Sequence, residues 1–388
     1  MRTPDLDRIL SAMLKTYDGI SDLHFSVGHP LQVEDFGELK PVFVDPPIGH
    51  LTPYQTEHLA LTLMQGDRRL MREYLRGGSC DCSYSLGEEA RFRVNIFRQQ
   101  GHFAIVMRKL QAEIPSLETL GLPAIFEEIA KEKTGLVLIT GATGSGKTTT
   151  LAALLNEVNT KQSVHVITLE DPIEFIHPPG KATFSQRELG HDFDDYPNGL
   201  RAALRQAPKV ILVGEMRDRA TVEVALMAAE TGHLVLTTLH TVDAGQSINR
   251  ILGLFSTGEE QQVRLRLADS LRYVVSQRLA PRISGGRQML TEIMGYNLRT
   301  REAIALGEAE NRSFYEIIET SSTFGWSTFD QSILAAYDAG TISEETALLV
   351  ASKKGRVTRG IDLMQKTRGV ERQANTGLRL DLSVNAFR

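Results

Sequence analysis

Leu136-Val137-Leu138-Ile139-Thr140-Gly141-Ala142-Thr143-Gly144-Ser145-Gly146-Lys147-Thr148-Thr149 is the stretch that decides the fold of this chain. An unbroken apolar run predicts a buried strand, residues 141–148 match G-x-x-x-x-G-K-[ST] in full, and a helical segment over 149–158 follows. Strand, glycine-rich loop and helix in that order let backbone N–H groups and the positive end of a helix converge on phosphate. Gly141, Gly144 and Gly146 allow the close wrap, Lys147 neutralises phosphate charge, and the Thr148 hydroxyl is placed to ligate Mg2+. Residues 141–149 are therefore the candidate site for the phosphates of ATP.

Outward from that loop, apolar runs at 164–169, 210–213 and 234–239 alternate with helical segments. Near-continuous apolar strands of this kind imply a parallel sheet covered on both faces, an α/β core of RecA-like type. That core is expected over about 124–280, with helical segments continuing to about 352. Residues 1–112 read as a separate α+β unit. Apolar residues recur at helical spacing in 6–14, short strands fall at 23–27 and 32–42 with a break at Gly37, and Thr52-Pro53 with Gln55 opens a capped helix. Asp67 starts a second helix ending at Gly77, and strands follow at 83–86, 90–97 and 102–110. The periodicity lapses over 113–123, where Pro115 and Pro123 mark a linker.

Composition narrows the function. The formal charge of -5 disfavours a protein that coats nucleic acid, and no run of about 18 apolar residues is present to span a membrane. The N-terminal segment lacks a basic region followed by an apolar one, so neither export nor membrane insertion is expected. Cys80 and Cys82 are the sole cysteines, and a C-x-C pair on one strand builds neither a four-ligand zinc site nor a disulfide framework. Together these readings point to the cytoplasm. From 353 to 388 nine Lys and Arg face three Asp and Glu, so this segment is expected to be a basic, solvated tail.

Acidic residues supply the remaining chemistry. Glu215 follows the strand at 210–213, where a carboxylate beside the phosphate loop can hold Mg2+ through water. Glu170-Asp171-Pro172-Ile173-Glu174 follows the strand at 164–169, and hydrolysis needs an acceptor that orients water in line with the γ-phosphate. Spacing leaves Glu170 and Glu174 both open as that base. His233 and His240 flank the strand at 234–239 and are further catalytic candidates, expected at the same sheet edge as the acids.

Taken together, these motifs resemble the secretion ATPase superfamily, and within it the PilT/PilU family of type IV pilus retraction motors. The similarity runs from Ser21 to about Leu348. Ser21-Asp22-Leu23-His24 and Gly37-Glu38-Leu39-Lys40-Pro41 resemble the family's N-terminal PAS-like domain. The phosphate loop, Glu170 to Glu174, Gln186-Arg187-Glu188, Gly214-Glu215-Met216-Arg217-Asp218, Glu230-Thr231-Gly232-His233 and Thr238-Leu239-His240-Thr241 resemble its ATPase motifs. The resemblance implies that the last glutamate of the acidic box, Glu174 here, is the general base. It implies a ring hexamer in which arginines of the N-terminal domain, matched by Arg93 and Arg108, reach the phosphates of a neighbouring subunit. It also implies work at the inner face of the inner membrane, on a PilC-like platform protein, with a paralogous retraction ATPase as a further partner. Arg205-Gln206-Ala207-Pro208-Lys209 and Thr328-Phe329-Asp330-Gln331 lie closer to PilU.

Three other functions compete. Extension or type II secretion motors resemble longer chains with a four-cysteine zinc insertion. A non-hydrolysing regulatory partner would not need Lys147, Thr148, Glu174 and Glu215 all intact. A DNA translocase fits poorly with the acidic balance and the lack of interleaved aromatic and basic residues.

Overall fold

The computed structural model describes residues 3–110, 113–310 and 312–368. The first part comprises α1 (Thr3–Leu14), β1 (Ile20–Phe25), β2 (Gln32–Asp35), β3 (Glu38–Pro41), α2 (Pro53–Met64), α3 (Arg68–Gly77), β4 (Ser79–Leu86), β5 (Ala90–Gln99) and β6 (His102–Lys109). Its strands form one antiparallel sheet in the order β3-β2-β1-β6-β5-β4. Strand β5 shows how the sequence builds it. Phe92, Val94 and Ile96 are fully buried in a core with Leu6, Leu10 and Leu59, and the intervening Arg91, Arg93 and Asn95 fall on the other face because side chains alternate along a strand. The capped start of α2 is present as read, with Thr52 and Gln55 bonding reciprocally.

Next come α4 (Ile125–Lys131), β7 (Gly135–Thr140), α5 (Lys147–Lys161), β8 (His165–Glu170), β9 (Thr183–Glu188), α6 (Tyr196–Ala203), β10 (Val210–Val213), α7 (Arg219–Glu230) and β11 (Leu234–Leu239). They are followed by α8 (Ala244–Leu252), α9 (Thr257–Ser270), β12 (Leu271–Pro281), β13 (Arg287–Gly295), α10 (Leu298–Leu306), α11 (Phe314–Glu319), α12 (Phe329–Asp338), α13 (Glu344–Val350) and α14 (Lys354–Thr367). The second sheet runs β13-β12-β7-β11-β10-β8-β9, parallel except for the β12–β13 pair. Alternate residues of β7 feed opposite faces. Leu136 and Leu138 join the core that holds α7 to α9, whereas Val137 and Ile139 join Leu151 and Leu155 of α5. A strand buried on both faces has no polar position to spare, which is why it reads as a continuous apolar run.

Three expectations need correction. Residues beyond 280 are not wholly helical, since β12 and β13 form a long hairpin that turns at Gly285 and Gly286, both at positive φ. Strand β9 was likewise not expected. Its side chains are only half-buried, so it carries no apolar run. The segment from 353 is not a solvated tail as far as Thr367. It forms α14, whose Val357 and Ile361 are fully buried in a core with Phe329 and Ile333. The rest of the expected tail, 369–388, lies outside the described residues. Among the described residues no helix is long and apolar enough to cross a membrane.

Candidate functional site

Strands β7, β8, β10 and β11 are parallel and in register, so their carboxyl ends open on one edge of the sheet. Ligands of open α/β sheets bind at this edge. Here it borders a cleft of about 610 Å³ lined by the phosphate loop, the acidic box, Glu215, His240 and one arginine of the first sheet, Arg93.

The loop has the geometry its glycines allow. Gly146 precedes α5 at φ 90°, and Gly141 lies at φ 146°, where an added Cβ would come within 2.6 Å of the Gln277 carbonyl oxygen. No side chain fits there. Thr143, Gly144, Gly146, Lys147, Thr148 and Thr149 line the cleft. Gly141 and Ala142 instead present carbonyls that accept from Lys147 Nζ at 2.9 and 3.0 Å, and Ser145 is buried behind the loop. Burial lowers the Lys147 pKa, with Glu215 and Glu174 opposing the shift.

Glu174 faces this lysine. Burial raises its pKa above the ordinary carboxylate value, while the Thr148 hydroxyl, Arg93 and Lys147 hold it down. A carboxylate of raised basicity beside the loop suits proton acceptance from water. Glu170 also lines the cleft but is more deeply buried. It is nearly fully buried, accepts from Gln186 Nε2 at 3.3 Å, and burial pushes its pKa up to about 7. The two candidates that spacing left open thus differ in burial, Glu174 being the more open of the two.

Glu215 lies two residues beyond the end of β10. Its Oε1 pairs with Arg217 at 2.5 Å, and its Oε2 lies 3.6 Å from His240 Nε2. Burial and the Lys147 charge lower the His240 pKa, which favours the neutral imidazole at this edge. The Thr238 hydroxyl donates to the Gly214 carbonyl at 2.7 Å and ties the ends of β10 and β11 together.

Two candidates fall elsewhere. His233 precedes β11 and so sits at the opposite edge of the sheet, about 20 Å away at 3.3 Å per strand residue. Its Nδ1 lies 3.0 Å from the Ala228 carbonyl, a local contact at the end of α7. The expectation that both histidines share one edge fails because a six-residue strand separates them. Arg108 pairs with Asp22 at 2.9 Å within the first sheet and does not line the cleft. It is the cross-strand partner of Arg93, and only Arg93 reaches the site. In the single subunit described, Arg93 lines the cleft of its own chain.

Sequence reasoning missed the roles of Arg217, Tyr196 and Glu188. Arg217 stands two residues after Glu215, a signal the motif already contained. Tyr196 lines the cleft from the start of α6, and nothing in its local sequence announces that.

The geometry has relatives. Residues 77–321 match the family described as Type II/IV secretion system protein. The type IV pilus retraction ATPase PilT of Pseudomonas aeruginosa is 39% identical over 344 residues, covering 88% of this chain and 97% of that protein. The type IV pilus ATPase PilU of the same organism is 36% identical over 345 residues, covering 89% and 88%. Among solved structures, the pilus retraction motor PilT with bound ADP superposes with a TM-score of 0.81 at 38% identity, covering 92% of this chain and 99% of that one.

Proposed function

The chain belongs to the type II/IV secretion ATPase family and, within it, to the PilT/PilU pilus ATPases, and on that premise we propose that it powers type IV pilus retraction as a Mg-ATP-driven hexamer. It is an ATPase. The observation that carries the assignment of roles is the convergence of Lys147, Thr148, Glu174, Glu215, His240 and Arg93 on one cleft.

In this reading the loop N–H groups and Lys147 bind the phosphates, and Lys147 leaves the Gly141 and Ala142 carbonyls to do so. Glu174 holds the attacking water in line and takes its proton. Arg93 offsets charge that develops on the γ-phosphoryl oxygens, and neutral His240 donates or accepts a hydrogen bond beside Glu215. The Thr148 hydroxyl and Glu215 are hard oxygen donors that suit Mg2+, which prefers a few protein oxygens plus phosphate. Held there, that ion would supply neutralisation of phosphate charge.

Retraction implies a seat in the cytoplasm against the inner face of the inner membrane, a PilC-like platform protein as mechanical partner, and a paralogous retraction ATPase in the same machine. Deletion of the gene tests the assignment, with pilus number and twitching scored. Hyperpiliation with lost motility is the expected result. Loss of pili would instead assign extension.

A further inference from the structure

Glu188 ends β9, the edge strand of the second sheet, directly beside Glu170 of β8 in register. Its carboxylate is almost wholly buried and receives donors from three separate segments. The Ser83 hydroxyl of β4 donates to Oε1 at 2.6 Å, the Arg91 guanidinium of β5 pairs with Oε2, and the Ile173 backbone N–H donates to Oε2 at 3.1 Å. The Glu188 N–H is itself held by Asp192 Oδ2 at 2.8 Å, and His191 Nε2 lies 4.0 Å from Oε1. Ser83 and Arg91 belong to the first sheet, and Ile173 immediately precedes Glu174.

We propose that Glu188 is a positioning residue that couples docking of the N-terminal sheet to the placement of Glu174. A buried carboxylate left without its partners costs several times what an ordinary hydrogen bond contributes. If β4 and β5 move away, Ser83 and Arg91 leave together, and one peptide N–H remains as hydrogen-bond donor, with His191 Nε2 4.0 Å away. Glu188 must then turn toward water, and the Ile173 amide loses the acceptor that fixes it. Glu174, one residue further on, moves with it. With the sheets docked, the same contacts hold Ile173 and bring Arg93, two residues along β5 from Arg91 and on the same face, to the cleft. A single strand thus delivers one arginine to the γ-phosphate side and another to the residue that sets the base. ATP binding and hydrolysis are thereby separated, since nothing in this contact touches the phosphate loop.

This inference rests on Glu174 as the base, and its test separates the two. Purified full-length Arg91→Ala, Arg91→Lys, Glu188→Gln, the Arg91→Ala/Glu188→Gln double variant and Glu174→Gln are assayed for ATP turnover and for fluorescent-ADP affinity. Misplacing a reacting group by about 1 Å costs up to roughly 100-fold in rate, so kcat of Arg91→Ala should fall roughly 10- to 100-fold with ADP affinity within about twofold of wild type. Arg91→Lys should recover part of the rate, and the double variant should be no slower than the slower single variant, as expected for residues acting through one contact. An Arg91→Ala enzyme with wild-type kcat, or losses that multiply in the double variant, would overturn the proposal. Wild-type turnover by Glu174→Gln would overturn the base assignment instead. Should Glu188→Gln fail to fold, the partly exposed Arg91 pair together with Ser83→Ala gives the decision.

Discussion

Arg93 on the first sheet and Glu174 in the loop after β8 of the second face the same cleft, close enough that the guanidinium lowers the pKa that burial of the carboxylate raises. Docking of the two sheets thus places a guanidinium and a carboxylate of one subunit on the same cleft.

If Arg93 serves the cleft of its own chain, Arg93→Ala and Glu174→Gln should fail to complement. Each variant alone is expected to lose most of its turnover, with an arginine of this kind contributing roughly a 10³- to 10⁵-fold factor. Co-expressed and purified as one assembly, the two should show no more activity than the separate preparations combined. Partial recovery would show that the arginine serves a neighbour's cleft.

Activity should have an acid limb set by Glu174. Its pKa is raised by burial, so kcat declines, as pH falls, from above the ordinary glutamate value of about 4.3. Arg93 favours the ionised form, and its removal raises the pKa further. In residual-activity profiles the limb of Arg93→Ala should move to higher pH, whereas Arg93→Lys keeps the charge and should keep the limb. A limb that stays in place in Arg93→Ala would contradict the pairing.

Glu170 carries a stability signature of the opposite kind from a salt-bridged acid. Burial lifts its pKa from 4.5 to about 7, so its stabilising contribution is complete below about pH 4.5 and is lost as pH rises through 7. Glu170→Gln cannot ionise and should melt at higher temperature than wild type at pH 8, by at most about 3 kcal/mol of stability. Toward pH 5 the two should converge. Equal melting temperatures at pH 8 would contradict the buried-acid assignment.

How far the sequence reveals this site depends on what each element must satisfy. Strands β7, β8, β10 and β11 were legible because both of their faces are buried and their apolar runs have no competing explanation. The phosphate loop was legible because a glycine is required where Gly141 meets the Gln277 carbonyl. Strand β9 was not, because its half-buried side chains follow neither period. The β12–β13 hairpin was missed although Gly285-Gly286 offered a turn signal, since β12 does not alternate cleanly between buried and exposed positions. Spacing could not choose between Glu170 and Glu174. They differ in burial and partners, Glu170 beside Gln186 and Glu174 beside Thr148 and Lys147, which spacing does not encode. His233 was misplaced because a strand's two ends look alike in sequence while lying on opposite edges of the sheet.

Helix α14 supplies a structural prediction. Ile361 is fully buried between this helix and the α12–α13 pair. Ile361→Ala should cost about 2 to 4 kcal/mol in chemical denaturation. The exposed Leu363→Ala should cost little. A loss at position 361 below about 0.5 kcal/mol, within the range of surface substitutions, would mean that α14 is not packed as described.

The most direct test of the account is to compare nucleotide binding and phosphate release in Lys147→Ala and Glu174→Gln. Lys147 acts on ground-state phosphate charge and Glu174 only on the attacking water. Lys147→Ala should therefore bind fluorescent ATP weakly, whereas Glu174→Gln should bind it as wild type does and release phosphate at least about 100-fold more slowly, the low end for loss of a general base. Wild-type phosphate release by Glu174→Gln would contradict the account.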